Sequence, residues 1–383
     1  MQVRVHDTLA AVPAADWATV AAGGGLYASH AWLTLVEQET PGRCHYLLAH
    51  DGAGPAGALP VYLTAREPNP YYDPGSVFRM AAPGRDGRYC LAGSRSGYRN
   101  RILLADRLTE PERRATVAAL LDRLAGLAAA QGQEHAYLLY LDAPGLHQVG
   151  GYAEDVEPVL SYSGDAWLDA PGSGFEDYLA ALTATRRKTT RKELRRFAER
   201  GLDTVRLDPS GRPGLIARFA RLGNEKYGIE EDEARLRDRF ERQSAALDGN
   251  GVLFVCRRGP TAVGMALAYR WGEWLYLRAS GFDHDAAAGA YPYFNVVIYE
   301  PLRYCYEAGL RGLHLGSGSH DAKAARGARI GPLASVALPA AGTARSDPAA
   351  PTARPGVRRY WEQQFTALPH LLDRELWRPW LGR

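Results

Sequence analysis

The sequence predicts an α/β protein with mixed (α+β) sheets, built as two domains in tandem and closed by a helical tail. Three observations predict it. The 383 residues are too many for one ordinary core and suit two. Helix-like and strand-like stretches alternate through the first half, and the second half returns to the theme. Near the end, residues 339–356 are low in complexity and rich in Pro and Ala, and an aromatic segment follows. The expected partition is therefore an N-terminal domain over 1–169 and a C-terminal domain over 170–338 that carries the active site. A flexible linker over 339–356 and a helical tail over 357–383 complete it.

Composition narrows the class. Hydrophobic residues make up 46% and charged residues 23%, a globular balance. A formal net charge of +3 imposes no global field, so a basic site has to be local. Cys44, Cys90, Cys256 and Cys305 stand far apart with no CxxC pair, which argues against a zinc site or a disulfide framework and fits a reducing compartment. The N-terminus has no long apolar run of the signal-peptide kind, and nowhere do about 18 apolar residues follow one another. The expectation is a cytoplasmic protein with no integral membrane association, no metal and no tightly bound cofactor.

In the first half, Ser29 suits the N-cap of a short helix to Glu37. Strands are expected over 45–49 and 58–63, joined by the turn-rich DGAGPAG. Residues 64–98 read as a long, site-forming loop. Thr109 caps a helix to about Ala130, with Val117, Leu120, Leu121, Leu124 and Leu127 on its apolar face. A strand follows over 136–141, and the extended stretch from Pro158 to Trp167 and Leu168 reads as another, its polar and apolar residues alternating only in part.

In the second half, residues 175–200 read as one helix, apolar early and basic late. A helical region runs from Leu215 to about Leu247. Three strands follow, over 252–257, 263–269 and 274–280, with connections short enough for hairpins. A helix over 293–308 should bend near Pro301, which has no N–H to donate. Gly309 ends it, and 313–315 resume as a strand. The tail carries Trp361, Phe365, Leu368, Leu371, Leu372, Trp377 and Trp380, and reads as a helix docking back onto the body.

Two strings carry the functional argument: FEDYLAALTATRRKTTRKELRRFAERG at Phe175–Gly201, and YFNVVIYEPLRYCYEAGLRGLHLGSGSHDAKAARGARIGPL at Tyr293–Leu333. With the order helix, helix, antiparallel meander, helix, strand, they resemble the GNAT superfamily. The resemblance is to its Fem-type peptidyltransferases and the related predicted peptidoglycan-biosynthesis N-acyltransferases. It is best over about 170–338 and architectural over 1–165. It implies tandem GNAT-like domains and transfer of an acyl or aminoacyl group onto an amine, forming an amide. It also implies a lysine at the active site after the last strand, for which Lys323 is the match.

The residues themselves point the same way. Arg186, Arg187, Lys188, Arg191, Lys192, Arg195 and Arg196 fall within eleven positions. Steps of three and four set Arg187, Arg191 and Arg195 along one face with Lys188 and Lys192 beside them, a stripe suited to a polyanionic donor. A solvated helix face is the plainer alternative. Gly316, Ser317 and Gly318 form a flexible turn whose backbone can approach a ligand. Lys323 and Arg326 follow on one helical turn, where a cation could meet the oxyanion of an attacked carbonyl. A surface pair neutralising Asp321 is the alternative.

Tyr276, Arg278 and Ser280 are expected on one face of the third meander strand, with His284 at its exit to relay a proton. Asn295 and Tyr299 share a face of the next helix. Glu225 and Tyr227 precede an acidic run and could line the acceptor cleft. Catalysis is thus assigned to Lys323, Tyr276 and His284, and substrate binding to Arg326, Ser280, Asn295, Tyr227 and Ser317.

One departure bears on the donor. Where acetyl-CoA-dependent GNAT enzymes carry a glycine-rich pyrophosphate turn, this chain has DHDAAAGAYPYF at Asp283–Phe294, with Gly289 alone usable. The Fem-type group lacks that signature too. The lean is therefore to aminoacyl-tRNA as co-substrate, with acyl-CoA the alternative. The acceptor is an amine-bearing small molecule or a peptidoglycan precursor. No Ser-His-Asp or Cys-His set calls for an acyl-enzyme. A non-catalytic RNA- or glycan-binding protein on the same scaffold is the competing class.

Overall fold

The computed structural model describes residues 1–64, 67, 70–78, 88–153, 156, 158–226, 228–283, 285, 289–343, 356–367, 372 and 374–381. These fall into two units. Unit one joins Met1–Asp165 to Gly331–Arg383, and unit two is Ala166–Ile330.

Unit one opens with β1 (Gln2–His6), α1 (Ala14–Ala21) and α2 (His30–Glu39). Ser29 caps α2, its hydroxyl accepting from the Trp32 amide at 3.2 Å. The hairpin β2 (Gly42–Asp51) and β3 (Gly54–Thr64) is longer than the apolar runs suggest. After it come α3 (Pro74–Phe78), β4 (Tyr89–Ala92), β5 (Leu103–Leu104) and α4 (Glu110–Ala130). Thr109 and Glu112 close a capping box at the start of α4, and those bonds to Thr109 hold the Glu112 carboxyl below its ordinary range. Then follow β6 (His135–Leu141), α5 (Ala143–Gly150) and β7 (Val159–Leu160). Leu120, Leu121 and Leu124 of α4 meet Leu47, Leu59 and Leu138 of the sheet in a fully buried core.

Unit two begins with β8 (Asp165–Asp169). The expected single helix over 175–200 is two, α6 (Phe175–Ala181) and α7 (Ala184–Glu199), and Leu182 and Thr183 leave the helix between them. The break is stabilised by Arg187, whose guanidinium donates to the carbonyls of Leu179, Ala180 and Leu182 at 2.9–3.1 Å. After β9 (Leu202–Leu207), the long helical region likewise divides, into α8 (Pro213–Glu225) and α9 (Glu233–Ala246). Asp232 caps α9 through the Arg235 amide.

The meander is β10 (Gly251–Arg258), β11 (Thr261–Trp271) and β12 (Trp274–Phe282). Next come α10 (Pro292–Phe294), a π-helical turn over Asn295–Tyr299 and α11 (Glu300–Glu307). The π turn, closed by the Glu300 amide on the Asn295 carbonyl, ends two residues before Pro301, whose missing N–H breaks the α pattern there. Then β13 (Gly312–Gly316), α12 (His320–Ala324) and β14 (Arg329–Gly331) complete the unit.

The chain then returns to unit one. Residues 334–338, expected to close the second domain, form with Pro339 the strand β15 (Ala334–Pro339), which pairs antiparallel with β6 and β7. The apolar pattern of ASVALP marks a strand without saying which sheet receives it. Most of the expected linker, 344–355, lies outside the described residues. The tail is two helices where one was expected, α13 (Val357–Ala367) and α14 (Arg374–Leu381). Trp361 and Trp377 are wholly buried with rings 4.2 Å apart, and the Trp361 indole donates to the Ser161 carbonyl at 2.8 Å.

The two sheets share one plan. Sheet one runs β1-β2-β3-β4-β6-β15-β7 with β5 against β3, and sheet two runs β9-β10-β11-β12-β13-β8-β14. In each, an antiparallel meander meets one parallel strand, and the sixth place is filled from the other end of the chain's course: β15 in the first, β8 in the second.

Two features of sheet two leave one of its edges open. The parallel pair β12–β13 is short, Trp274–Tyr276 against Gly312–His314, and β12 continues alone on that side to Phe282. A bulge also interrupts β12, since Leu277 faces Ala268 while Ala279 faces Leu267, leaving Arg278 extra. Beyond the bulge, α8 touches β12 backbone to backbone. A Cβ on Gly281 would come within 1.7 Å of the Phe219 carbonyl oxygen, and one on Gly223 within 2.2 Å of that of Ser280.

Gly281→Ala should therefore lower stability by about 1–3 kcal/mol or more, as overpacking does. Urea unfolding should show the loss, whereas Gly259→Ala or Gly272→Ala, with open space at the Cβ but φ of 57° and 55°, should cost only the local backbone strain.

Candidate active site

The opening between β12 and β13 forms the site from below. Across the last paired rung, Trp167, His314, Tyr276 and Tyr269 stand side by side on β8, β13, β12 and β11. The His314 ring lies 4.4 Å from that of Trp167 and 5.0 Å from that of Tyr276. Tyr276 is buried here, 3% exposed, as a wall of the aromatic rung. The rung faces α9, because the Tyr269 ring lies beside Ser244.

The expectation that Tyr276, Arg278 and Ser280 share a face is corrected by the bulge. One extra residue reverses the alternation, so Gly281 presses on α8 while Ser280 and Phe282 turn to the opposite side, where Phe282 meets the Tyr293 ring at 6.2 Å.

Beyond the rung, β13 ends at Gly316 in a turn of left-handed backbone. Gly316 has φ 65°, Gly318 75° and Ser319 48°. A side chain at 319 in that region is uncommon and marks a turn held in place by its surroundings. What holds it is Lys323 of α12. Its ammonium donates to the carbonyls of Leu315, Gly316 and Ser317 at 2.8, 3.2 and 2.8 Å, and the residue is 4% exposed. Lys323 thus grips the end of β13 where β12 has left it. Ser317 is half-buried in the turn. The amides of Ser317, Gly318 and Ser319 have no acceptor among the described residues.

Arg326, also buried, is the hub of a network. Its guanidinium donates to Glu193 at 2.5 Å, to the Tyr299 hydroxyl at 3.2 Å and to the Ala322 carbonyl at 2.8 Å, and it covers the Phe294 ring. The Tyr299 hydroxyl donates to the other oxygen of Glu193. Burial, ahead of the opposing charge of Arg326, pushes the Tyr299 phenol far above its ordinary range, so it stays a donor. Tyr178 donates to the Arg326 carbonyl at 2.9 Å. Five elements, α6, α7, α10, the π turn and α12, meet at this ion pair.

The basic helix divides into two faces. Thr190, Glu193 and Phe197, three and four apart, are buried, and Glu193 holds Arg326. Lys188, Arg191, Lys192 and Arg195 are exposed. Arg191 pairs with Glu176 at 3.1 Å and Arg195 with Glu199 at 3.5 Å, exposed contacts of small worth. Lys188 and Lys192 have no carboxylate partner among the described residues. Arg187 stands apart from this stripe, spent on the end of α6. Asn295 is buried, its side-chain amide donating to the Tyr291 carbonyl at 2.9 Å. Glu225 pairs with Arg221. Tyr227 and His284 lie outside the described residues.

Neither Glu193 nor His314 stood among the site residues expected from sequence. A lone acid among seven bases, flanked by Thr190 and Phe197 at helical spacing, is the signal for Glu193. A histidine inside the short apolar strand LHL is the signal for His314. In unit one the strand matching β13 is β6, and its penultimate residue, Tyr140, φ 55°, lies beside a cleft of about 370 Å³ lined by Tyr71, Tyr140, Tyr162 and Ser335.

Among the described residues, no three His, Cys, Asp or Glu side chains converge as a metal site would require, and no helix is long and apolar enough to cross a membrane.

Residues 184–324 match the family described as acetyltransferase (GNAT) domain. No curated protein matches the chain. Among solved structures, FemX is similar at 12% identity over 87% of this chain and 97% of its own, with a TM-score of 0.57. A tandem GNAT protein from the clavulanic acid biosynthesis pathway is similar at 12% identity, over 90% and 100%, with 0.51. The C-terminal domain described as that of a putative lysylphosphatidylglycerol synthetase from Agrobacterium fabrum follows at 11%, over 82% and 88%, with 0.50. The chain has a Fem-like tandem GNAT fold and, with a GNAT domain across unit two, is an acyltransferase.

The buried pair gives a stability prediction. Glu193→Leu leaves the Arg326 guanidinium without its carboxylate and should cost about 3–5 kcal/mol. Adding Arg326→Met should recover most of it. A double-mutant cycle by urea unfolding measures both, and additive losses would contradict the coupling.

Proposed function

We propose that unit two transfers an aminoacyl group from aminoacyl-tRNA to the amine of a small molecule or peptidoglycan precursor, with the reacting carbonyl at the opening between β12 and β13. The observation that carries this reading is that opening, bordered by a turn whose Ser317, Gly318 and Ser319 amides have no acceptor among the described residues. The acceptor's neutral amine attacks the carbonyl carbon, and the electron pair of the C=O bond moves onto oxygen. Collapse of the tetrahedral intermediate expels the ribose oxygen, the new C–N bond remains, and the amine's proton leaves to the departing oxygen or to solvent. Positioning of donor and acceptor can supply roughly 7–11 kcal/mol, and hydrogen bonds to the oxyanion add to it. None of these steps asks for a covalent enzyme intermediate.

Two supports favour the tRNA donor. The exposed stripe Lys188, Arg191, Lys192 and Arg195 suits a phosphate backbone, and the sequence at Asp283–Phe294 lacks a glycine-rich pyrophosphate turn. FemX and the lysylphosphatidylglycerol synthetase domain share the fold. Acyl-CoA is the second reading, favoured by the GNAT acetyltransferase match.

The deciding experiment presents purified protein with charged tRNA or acetyl-CoA and a panel of amines. Amide formation from charged tRNA is the expected result, steeply inhibited by salt. Lys188→Glu with Lys192→Glu should raise KM for tRNA about tenfold or more while leaving thermal stability unchanged. Transfer from acetyl-CoA alone, insensitive to these substitutions, would replace the first reading by the second. No transfer from either donor would sink both.

A further inference from the structure

Lys323 was expected to meet the oxyanion directly, yet the geometry spends its ammonium on three backbone carbonyls. In a planar trans peptide the C=O of one residue and the N–H of the next point in opposite directions. Carbonyls of Gly316 and Ser317 drawn onto the Lys323 ammonium therefore turn the N–H groups of Ser317 and Gly318 away from it. Left-handed backbone at Gly316, Gly318 and Ser319 curls the turn, and successive outward amides in such a turn form an anion-binding concavity. These amides lack acceptors among the described residues. The turn is also anchored from behind, because Arg326, three residues beyond Lys323, is fixed by Glu193 and Tyr299.

We infer that Lys323 is a positioning residue: it aims the main-chain amides of Ser317 and Gly318, and these, not its ammonium, hold the oxyanion of the acyl-transfer intermediate. This rests on the acyl-transfer reading for its consequence but not for its geometry. The atoms that touch the carbonyl oxygen are two peptide nitrogens, and the lysine charge acts through the backbone it orders.

The test uses the full chain labelled with ¹⁵N-serine, ¹⁵N-glycine and ¹⁵N-lysine, titrated with acetate as a small oxyanion probe. In the unsubstituted protein the Ser317 and Gly318 amide signals should shift saturably, while the Lys323 Nζ signal stays put. Lys323→Met should abolish the amide shifts, and Lys323→Arg, which keeps charged donors for the carbonyls, should restore them in part. Should Lys323→Met fail to fold, Gly318→Ala serves instead. Its φ of 75° resists a side chain while open space surrounds it, so it disturbs the turn without touching the lysine.

With a working donor and acceptor, Lys323→Met should lower kcat about 100-fold, as loss of an oxyanion donor does, with KM for donor nearly unchanged. Amide shifts that persist in Lys323→Met, amide signals unmoved in the unsubstituted protein, or an acetate response at Nζ would each overturn the inference. Should no donor support transfer while the amide pattern behaves as described, the acyl-transfer reading fails and the positioning role of Lys323 stands.

Discussion

Three rungs of parallel pairing hold β12 to β13, and the proposed chemistry depends on the two strands parting after the third. A parallel ladder carried further would bond their backbones to one another and close the sheet. Parting here costs strand hydrogen bonds, and the surrounding structure keeps the backbone in order. The bulge at Arg278 redirects β12 toward α8, where Gly223 and Gly281 allow main-chain contact that any larger residue would block. On the other side, Lys323 gathers the last carbonyls of β13, so the freed end of that strand is tied to an ammonium.

Away from solvent, the charge of Glu193 and that of Arg326 are buried as a pair. Glu193 and Arg326 are nearly out of solvent, and Tyr299 and Ala322 supply further partners. Such a pair contributes less to net stability than to fixing one arrangement, because removing either partner strands the other. The arrangement it fixes sets α7 against α12. The same helix that offers cations to solvent on its outer face therefore grips, on its inner face, the segment that carries Lys323. In the proposed reading, donor attachment and carbonyl attack fall on two sides of one helix.

Much of this was legible along the chain, where the cause is local. Thr109 with Glu112 three residues on is a capping box in sequence and in structure, and the meander follows from strands separated by Arg258-Gly259-Pro260 and Trp271-Gly272. Pro301 announces the departure from α geometry that the π turn realises. The features that escaped are those decided by partners far away. Nothing in WLYLRASGF distinguishes a straight strand from one with an extra residue at Arg278, yet that residue moves Ser280 to the other face. Lys323 was recognisable as a cation beside a glycine turn, whereas its occupation by three carbonyls depends on how α12 folds back. The destination of β15 in sheet one is likewise a matter of pairing across nearly two hundred residues.

If the reacting carbonyl sits at the mouth of β12 and β13 with its oxygen on main-chain amides, a bound donor analogue will show it. A crystal structure with a non-hydrolysable aminoacyl-adenosine amide is the decisive measurement. The expected result is a carbonyl oxygen within hydrogen-bonding distance of the Ser317 and Gly318 nitrogens, with the Lys323 ammonium still on its three carbonyls. A donor bound elsewhere, or a carbonyl contacting the Lys323 ammonium with those amides turned away, would refute this placement.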